Sequence, residues 1–394
     1  MIVEIKGVEF ENKGAQLMLA AIMSELKETW PEVEFALVPS TKATYIQRAA
    51  LPAWQKLSLR KHLVDANALS YFLPMWVRKK LKAWGIVTEV DVDMIVDASG
   101  FSYSDQWPSK IRIYHLKNEL KRYKRQGRPY IFMPQAFGPF TTDSSRTRIA
   151  ESFKYAAMIC AREKQSYHNI AELTGEMPNL YQYGDFTNLI DGFVPPHLAF
   201  DGPQACIIPN KNMTNPRNAN KAWITSYESM LVAAIKYYRE KGLTPFFLNH
   251  EGVEDGQLIS RVNSQLDEPI DVVFESDPLV VKGIIASSNA VLCSRYHGCI
   301  SALSKGIACI GTSWSHKYEL LYEQYAASDF LLPPDVSNME LKKIIDLSLD
   351  VDASQVREIS KKASLIRAEA QEMWEQFYSV VEKFDKIPEQ QKPC

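Results

Sequence analysis

The stretch Leu292-Cys-Ser-Arg-Tyr-His-Gly-Cys-Ile-Ser-Ala-Leu-Ser-Lys-Gly-Ile-Ala-Cys-Ile-Gly-Thr-Ser-Trp-Ser-His-Lys-Tyr318 reads as a strand, a short polar turn, a helix and a second strand. Residues 290–293 are a short apolar run suited to a buried strand, and Ile300, Ala302, Leu303 and Ile307 follow at roughly helical spacing. Arg295 and His297 therefore fall where a strand ends and a helix begins. The unpaired N–H groups and dipole of a helix N-terminus attract anions there, and an arginine adds a two-pronged donor for phosphate or carboxylate. The second strand, 308–311, delivers Trp314, His316 and Lys317 to the same edge, where ligands of open α/β sheets bind.

Upstream, the same strand-to-helix rhythm recurs. Residues 2–8 form a first strand, and Asn12-Lys13-Gly14-Ala15 precedes the helical positions Leu17, Leu19, Ile22, Met23 and Leu26. A small turn of this kind lets a ligand approach backbone N–H groups closely. A strand at 93–97 ends in Asp97-Ala98-Ser99-Gly100, one at 130–134 in Gln135, and one at 156–161 in Arg162, so consecutive strands each deliver a polar residue to their C-terminal edge. An ordinary helix entry at Asn12 and a turn-capping Asp97 are the competing readings of these motifs. Past Pro195-Pro196 the rhythm continues with strands at 205–209, 244–248 and 272–273 and helices at 227–241, 256–266 and 279–287. This alternation predicts two parallel-sheet α/β domains of Rossmann-like build, 1–195 and 196–394, with a final charged helix at 353–384 long enough to cross back to the first.

Composition narrows the function classes. The 394 residues are 46% hydrophobic and 23% charged, as in a folded globular protein, and a net charge of −2 argues against a general nucleic-acid binder. Six cysteines lie mostly in apolar runs without CxxC spacing, so buried reduced thiols are expected and no metal site. The chain opens directly as a strand and has no apolar run long enough to span a bilayer, which predicts a cytoplasmic protein. A basic, aromatic insertion is expected at about 42–84, where Leu69 to Trp84 interleaves aromatic residues with Arg78, Lys79, Lys80 and Lys82. Both an interfacial segment at an anionic membrane and a helical lid packed on the first domain have this composition. Burial of Trp76 and Trp84 would favour the lid.

Ser294-Arg-Tyr-His-Gly-Cys-Ile-Ser-Ala-Leu-Ser-Lys-Gly306 followed by Gly311-Thr-Ser-Trp-Ser-His-Lys-Tyr318 resembles the signature of the polysaccharide pyruvyl transferase family. The resemblance extends to Asn12-Lys-Gly-Ala-Gln16, Asp97-Ala-Ser-Gly-Phe-Ser-Tyr-Ser-Asp-Gln-Trp107, Pro134-Gln-Ala-Phe-Gly-Pro139 and Ala161-Arg-Glu-Lys-Gln-Ser-Tyr167. Where many relatives carry an aspartate after Gly14, this chain has Ala15, so a role for that aspartate does not transfer. The resemblance implies transfer of the enolpyruvyl group of phosphoenolpyruvate to a sugar, leaving a pyruvate ketal, with phosphoenolpyruvate as co-substrate and no cofactor. The implied fold is the two-domain glycosyltransferase B architecture, its active site in the cleft between domains.

Phosphoenolpyruvate carries a phosphate and a carboxylate on three carbons, so its site needs two adjacent anion centres. Arg295, Arg162 and the helix start at Gly298 are expected to supply them, with His316 and Lys317 alongside. Protonation of the methylene carbon is assigned to His297, since imidazole titrates near neutral pH, and Asp97 is the expected base toward the sugar hydroxyl. Asn12, Lys13, Gly14, Ser99, Tyr103, Trp107 and Gln135 are the expected acceptor contacts. The acceptor implied is a sugar of a cell-surface polysaccharide or its lipid-linked oligosaccharide precursor. Two other functions fit the pattern: a glycosyltransferase using a nucleotide sugar, and a non-catalytic glycan-binding protein of the same fold.

Overall fold

The computed structural model describes residues 1–384 except 11, 62, 63, 107–110, 217, 219 and 316. The described residues fall into two compact units, one within Met1–Phe10, Met18–Thr187 and Glu369–Cys394, the other within Glu11–Leu17 and Asn188–Ala368. Each unit is built on one open sheet.

The first unit contains β1 (Ile2–Lys6), β2 (Glu34–Leu37), β3 (Ala53–Lys56), β4 (Arg60–Lys61), β5 (Val64–Asp65), β6 (Ile86–Val87), β7 (Met94–Asp97), β8 (Tyr130–Gln135), β9 (Met158–Ala161) and β10 (Leu180–Gln182). Its eight-stranded parallel sheet runs β10-β9-β8-β7-β1-β2-β3-β6, with β4 and β5 paired separately as an antiparallel hairpin. Strands β7 and β8 are buried along their whole length, which is why they read as continuous apolar runs rather than alternating ones. Strand order reverses between β1 and β7, where Lys6 lies opposite Asp97. Directly beyond, Gly7 has φ +79°, and a Cβ there would lie 2.2 Å from Ser99 Cα.

Part of the expected insertion belongs to this sheet. Residues 53–56 pair with β2 and β6, and buried Lys56 forms an ion pair with buried Glu4 of β1. Ala-Trp-Gln-Lys, two apolar residues followed by two polar ones, carries no period-two signal to stand out from the basic sequence around it. The helix at Met75–Ala83 contains no buried residue, and Trp76 and Trp84 are 62% and 72% exposed, so the burial that would favour a lid is not found.

The second unit contains β11 (Gln204–Ile208), β12 (Thr244–Asn249), β13 (Val272–Phe274), β14 (Ala290–Cys293), β15 (Ile310–Thr312) and β16 (Leu331–Leu332). They form a parallel sheet in the order β13-β12-β11-β14-β15-β16, the doubly wound Rossmann order. Its two faces follow the strand period of two. Ala205 and Ile207 join Leu292 and Ile310 in one apolar cluster with Trp223, Tyr227 and Leu231 of the helix Trp223–Glu240. Cys206 and Ile208 join Val291 and Cys293 in the other, with Ile284 of the helix Pro278–Ser287 and Ile300 of the helix Tyr296–Leu303. Each fully buried large side chain contributes about 1.5–3 kcal/mol.

The last helix, Ser354–Val381, serves both units in turn. Ile359 and Ile366 enter a core cluster of the second unit, and Arg367 donates to the Asn188 carbonyl at 3.1 Å. Further along, Trp374 meets Phe186 edge-on and Tyr378 bonds Thr29 of the first unit.

Candidate functional site

In each sheet the strand order reverses at one point, and Asp97 in the first unit and Arg295 in the second lie at the carboxyl ends there. In the second unit this point lies between β11 and β14, and the chain leaving β14 is Ser294-Arg295-Tyr296-His297. Ser294 anchors the turn. Its hydroxyl bonds Tyr227 at 2.6 Å and Thr312 at 2.7 Å, and its carbonyl accepts from Tyr318 and Asn210, each at 2.9 Å. Gly298 is required by close packing, since a Cβ would lie 2.5 Å from Cys293 Sγ. The helix can start only that close to its strand because the side chain is missing.

Arg295 is 7% exposed, and its guanidinium is already gripped by two carboxylates. Nε donates to Asp255 Oδ2 at 3.0 Å, Nη2 to Asp255 Oδ1 at 2.6 Å, and Nη1 to Glu251. Burial pushes the Asp255 carboxyl up to about 6 and the Arg295 guanidinium down to about 10; the bidentate contact offsets part of that desolvation. The expected anion-binding fork is thus an ion triad, its guanidinium shared between Glu251 and Asp255. Neither acid was among the residues singled out from the sequence, because nothing local links the end of β12 and the helix Val253–Asn263 to Arg295.

Two motifs that are far apart in sequence meet here. A Cβ on Gly14 would lie 2.0 Å from His297 Nδ1 and 2.4 Å from Cγ, so glycine at this position makes room for the imidazole. Asn12 caps the same helix, Lys13–Thr29, its Oδ1 accepting from the N–H of Gly14 at 2.9 Å and of Ala15 at 3.2 Å. Buried Lys13 donates to the Ser276 carbonyl at 2.7 Å. Burial lowers its pKa, opposed by the charges of Glu275 and Asp277. Asn12, Lys13 and Gly14, expected on the acceptor side, are therefore placed with His297 in the second unit.

His250, at the end of β12, was also missed. It is buried, its Nδ1 has no hydrogen-bond partner among the described residues, and its pKa lies well below the usual value. Desolvation is the main cause, followed by the charges of Arg295, His297 and Lys13. The charges of Lys13, Arg295 and His297 thus act together on His250, a basic cluster. Lys317 stands near the next strand end with its ammonium over the rings of Trp314, Tyr296 and Tyr318, at 4.8, 4.9 and 5.6 Å from their centroids. His316 lies outside the described residues.

The first unit holds a cavity of about 210 Å³ at its own reversal point. Asp97, Ser99 and Tyr103 line it, together with Glu4, Lys6, Lys56, Arg60 and Glu119, which sequence reasoning did not single out. Lys6 donates to both Glu119 oxygens at 2.7 Å, and Arg60 reaches Glu119 at 2.9 Å. Burial would raise the Glu119 carboxyl, but Lys6, Arg60 and Lys56 outweigh it and hold the group well below the usual range. Glu4 Oε1 is buried and has no hydrogen-bond partner among the described residues. A mid-strand acid between apolar neighbours was the available signal, since a buried charge requires a counter-ion.

Asp97 accepts from Ser99 N–H at 3.1 Å, Ser99 Oγ at 2.6 Å, Tyr103 OH at 2.6 Å and Tyr130 OH at 2.9 Å. Burial, then the Asp97 charge, raises the Tyr130 phenol well above its usual value, so it stays a donor. With about four acceptor positions on a carboxylate, Asp97 is saturated and fits an orienting role better than the expected base. Gln135 is wholly buried and donates to the Asp97 carbonyl at 3.1 Å; it is not among the cavity residues. Arg162 is buried beside Asp185, with Nη1 at 3.5 Å from Oδ2. Trp107 lies outside the described residues.

Solved structures share this fold. UDP-N-acetylglucosamine 2-epimerase of Neisseria meningitidis, solved with UDP-GlcNAc, matches with a TM-score of 0.56 at 10% identity over 96% of this chain and 99% of its own. HepE of Anabaena, solved with UDP and glucose, matches with a TM-score of 0.53 at 13% identity over 97% and 99%. The epimerase of Methanocaldococcus jannaschii gives 0.54 at 9% over 93% and 98%. These likenesses establish the fold, two parallel-sheet α/β domains of the glycosyltransferase B type. No curated protein matches the chain in sequence. The profile described as polysaccharide pyruvyl transferase matches residues 12–316, a span that takes in Asn12, Gly14, the Asp97 turn, Arg295 and His297. The chain therefore belongs to the polysaccharide pyruvyl transferase family.

Proposed function

We propose that this protein transfers the enolpyruvyl group of phosphoenolpyruvate to two hydroxyls of one sugar, in a polysaccharide or its lipid-linked precursor, forming a pyruvate ketal. The observation that carries the reading is the seating of His297 on Gly14 within the basic cluster of Lys13, His250 and Arg295. A small dianion or trianion suits that cluster where it takes the place of Glu251 and Asp255 on the Arg295 guanidinium, and a proton donor among the cations suits a substrate that must be protonated on carbon.

In this reading His297 gives a proton to the methylene carbon, and one sugar hydroxyl bonds to the central carbon. Phosphate then leaves with the electrons of its C–O bond, and the second hydroxyl closes the ketal. Of the two hydroxyl protons, one balances the proton given to carbon and the other leaves with phosphate. Lys13, Arg295 and Lys317 of the second unit face the anion, and Gly298 lets the helix start beside it; Arg162, expected at the same anion from its charge, belongs to the first unit. The cavity at Asp97 takes the acceptor. Its paired charges sum to zero (Glu4, Asp97 and Glu119 against Lys6, Lys56 and Arg60), which suits a neutral polyol better than an anion.

Calorimetric titration with phosphoenolpyruvate, UDP-glucose and UDP-GlcNAc separates this reading from a nucleotide-sugar transferase. Binding of phosphoenolpyruvate, with phosphate release once an acceptor glycan is added, is expected. Binding of a UDP-sugar with none of phosphoenolpyruvate would overturn it.

A further inference from the structure

The helix Met75–Ala83 presents the wrong side to water. Met75, Trp76, Lys79, Lys80, Ala83 and Trp84 are exposed, whereas Val77, Arg78, Leu81 and Lys82 are half-buried. The exposed positions recur at i, i+1, i+4, i+5, i+8 and i+9, so they share one face. Just before it, Leu69 and Phe72 of the short helical segment Asn67–Phe72 are 60% and 83% exposed. An exposed apolar residue on its own is ordinary, but a contiguous group of this size marks an interaction surface.

The charges identify the class of partner. From residue 66 to 88 there is no acid, and four cations, Arg78, Lys79, Lys80 and Lys82, lie within five positions. Arg78 is committed to Asp91 at 2.5 Å. Lys79, Lys80 and Lys82 make no ion pair among the described residues; Lys80 lies over the Trp76 ring at 5.4 Å and Lys82 over the Trp54 ring at 5.7 Å. Protein interfaces are depleted in lysine at their centres. Tryptophan beside lysine, with long stems that keep the ammonium in water while the apolar part descends, is what a headgroup region of anionic lipid accommodates. No helix among the described residues is long and apolar enough to cross a membrane, so such a contact would be peripheral.

We propose that residues 69–84 form a docking surface for an anionic lipid bilayer. Phe72, Met75, Trp76 and Trp84 enter the headgroup region, and Lys79, Lys80 and Lys82 meet lipid phosphates. The surface belongs to the first unit alone and does not depend on which donor the enzyme uses.

The test is co-sedimentation of the full chain with phosphatidylcholine vesicles, with and without phosphatidylglycerol, at low and high salt. Binding to the anionic vesicles that weakens with salt is expected. K79Q/K80Q/K82Q should lose about fivefold per lysine, on the order of a hundredfold in all, and W76S/W84S should also lose binding. Because these side chains are exposed or half-buried, both variants should keep the wild-type denaturation midpoint. Equal binding to neutral and anionic vesicles, or none to either, would overturn the proposal. So would a concentration-dependent dimer abolished by W76S/W84S, which would make the occupant a second copy of this chain.

Discussion

Replacing Gly14 with alanine tests the meeting of the two motifs directly. The new Cβ would lie 2.0 Å from His297 Nδ1, 2.4 Å from Cγ and 2.6 Å from Cε1, so the imidazole must move. Two terms oppose one another. Alanine in place of a helical glycine is favourable by about 0.5–1 kcal/mol, while overpacking of a fitted site costs about 1–3 kcal/mol. The clash wins, and a net destabilisation of about 1–2 kcal/mol is expected. In a His297→Ala background the obstruction is gone and the same substitution should become neutral or stabilising by up to about 1 kcal/mol. Urea titration of the four members of this cycle gives the coupling, expected at about 1–3 kcal/mol. In turnover, Gly14→Ala should lower kcat by at least tenfold, because the displaced imidazole is the proposed acid. A coupling near zero, with activity retained, would refute the placement of His297 on Gly14.

Three further outcomes follow from the same geometry. His297→Ala is expected to reduce kcat by 10²–10⁴-fold while phosphoenolpyruvate affinity by calorimetry changes little, and near-normal turnover would remove its assignment as acid. Asp255→Asn removes one of the two carboxylates on Arg295 and leaves Glu251, so it should cost less than the ~3–5 kcal/mol of a wholly unpaired buried charge; saturating phosphoenolpyruvate should restore part of that loss by supplying the missing charge, and an unchanged denaturation midpoint with ligand would refute that role for Arg295. His250 is held neutral in the fold but takes a proton near pH 6.5 when unfolded, so its stabilising contribution is present above that pH and is lost below it. Compared with His250→Asn, the wild type should lose about 1.4 kcal/mol between pH 7.5 and pH 5.5, and parallel stability profiles would show that the imidazole titrates normally.

The sequence carried the sheet rhythm because parallel strands buried on both faces are written as apolar runs, and their polar terminators, Asp97, Gln135, Arg162 and Arg295, stand out against them. It also placed His297 at a strand-to-helix junction. What it lacked were relations across the fold. The role of Gly14 depends on a histidine 283 positions later, and the charge of Arg295 is balanced by acids on another strand end and helix. Asp97 looked available because hydrogen bonds from Tyr103 and Tyr130 leave no local trace. Lys56 looked like one more surface cation in a basic stretch, whereas its partner Glu4 lies two strands away in the sheet. Short-period patterns therefore reveal which residues reach an edge, but whether a charge there is spent or available is decided by long-range contacts.

The clamp on Ser294 has a consequence for binding kinetics. Four side chains from four separate segments hold that residue, so the turn bearing Arg295 and His297 loses its conformational freedom when the chain folds. A ligand arriving later does not have to order it, and ordering a loop is a principal cost of association. Stopped-flow mixing with phosphoenolpyruvate should then give one fast phase whose observed rate rises linearly with concentration. A phenylalanine at position 227 or 318 would loosen the clamp and shift that cost to the binding step, appearing as a less favourable binding entropy.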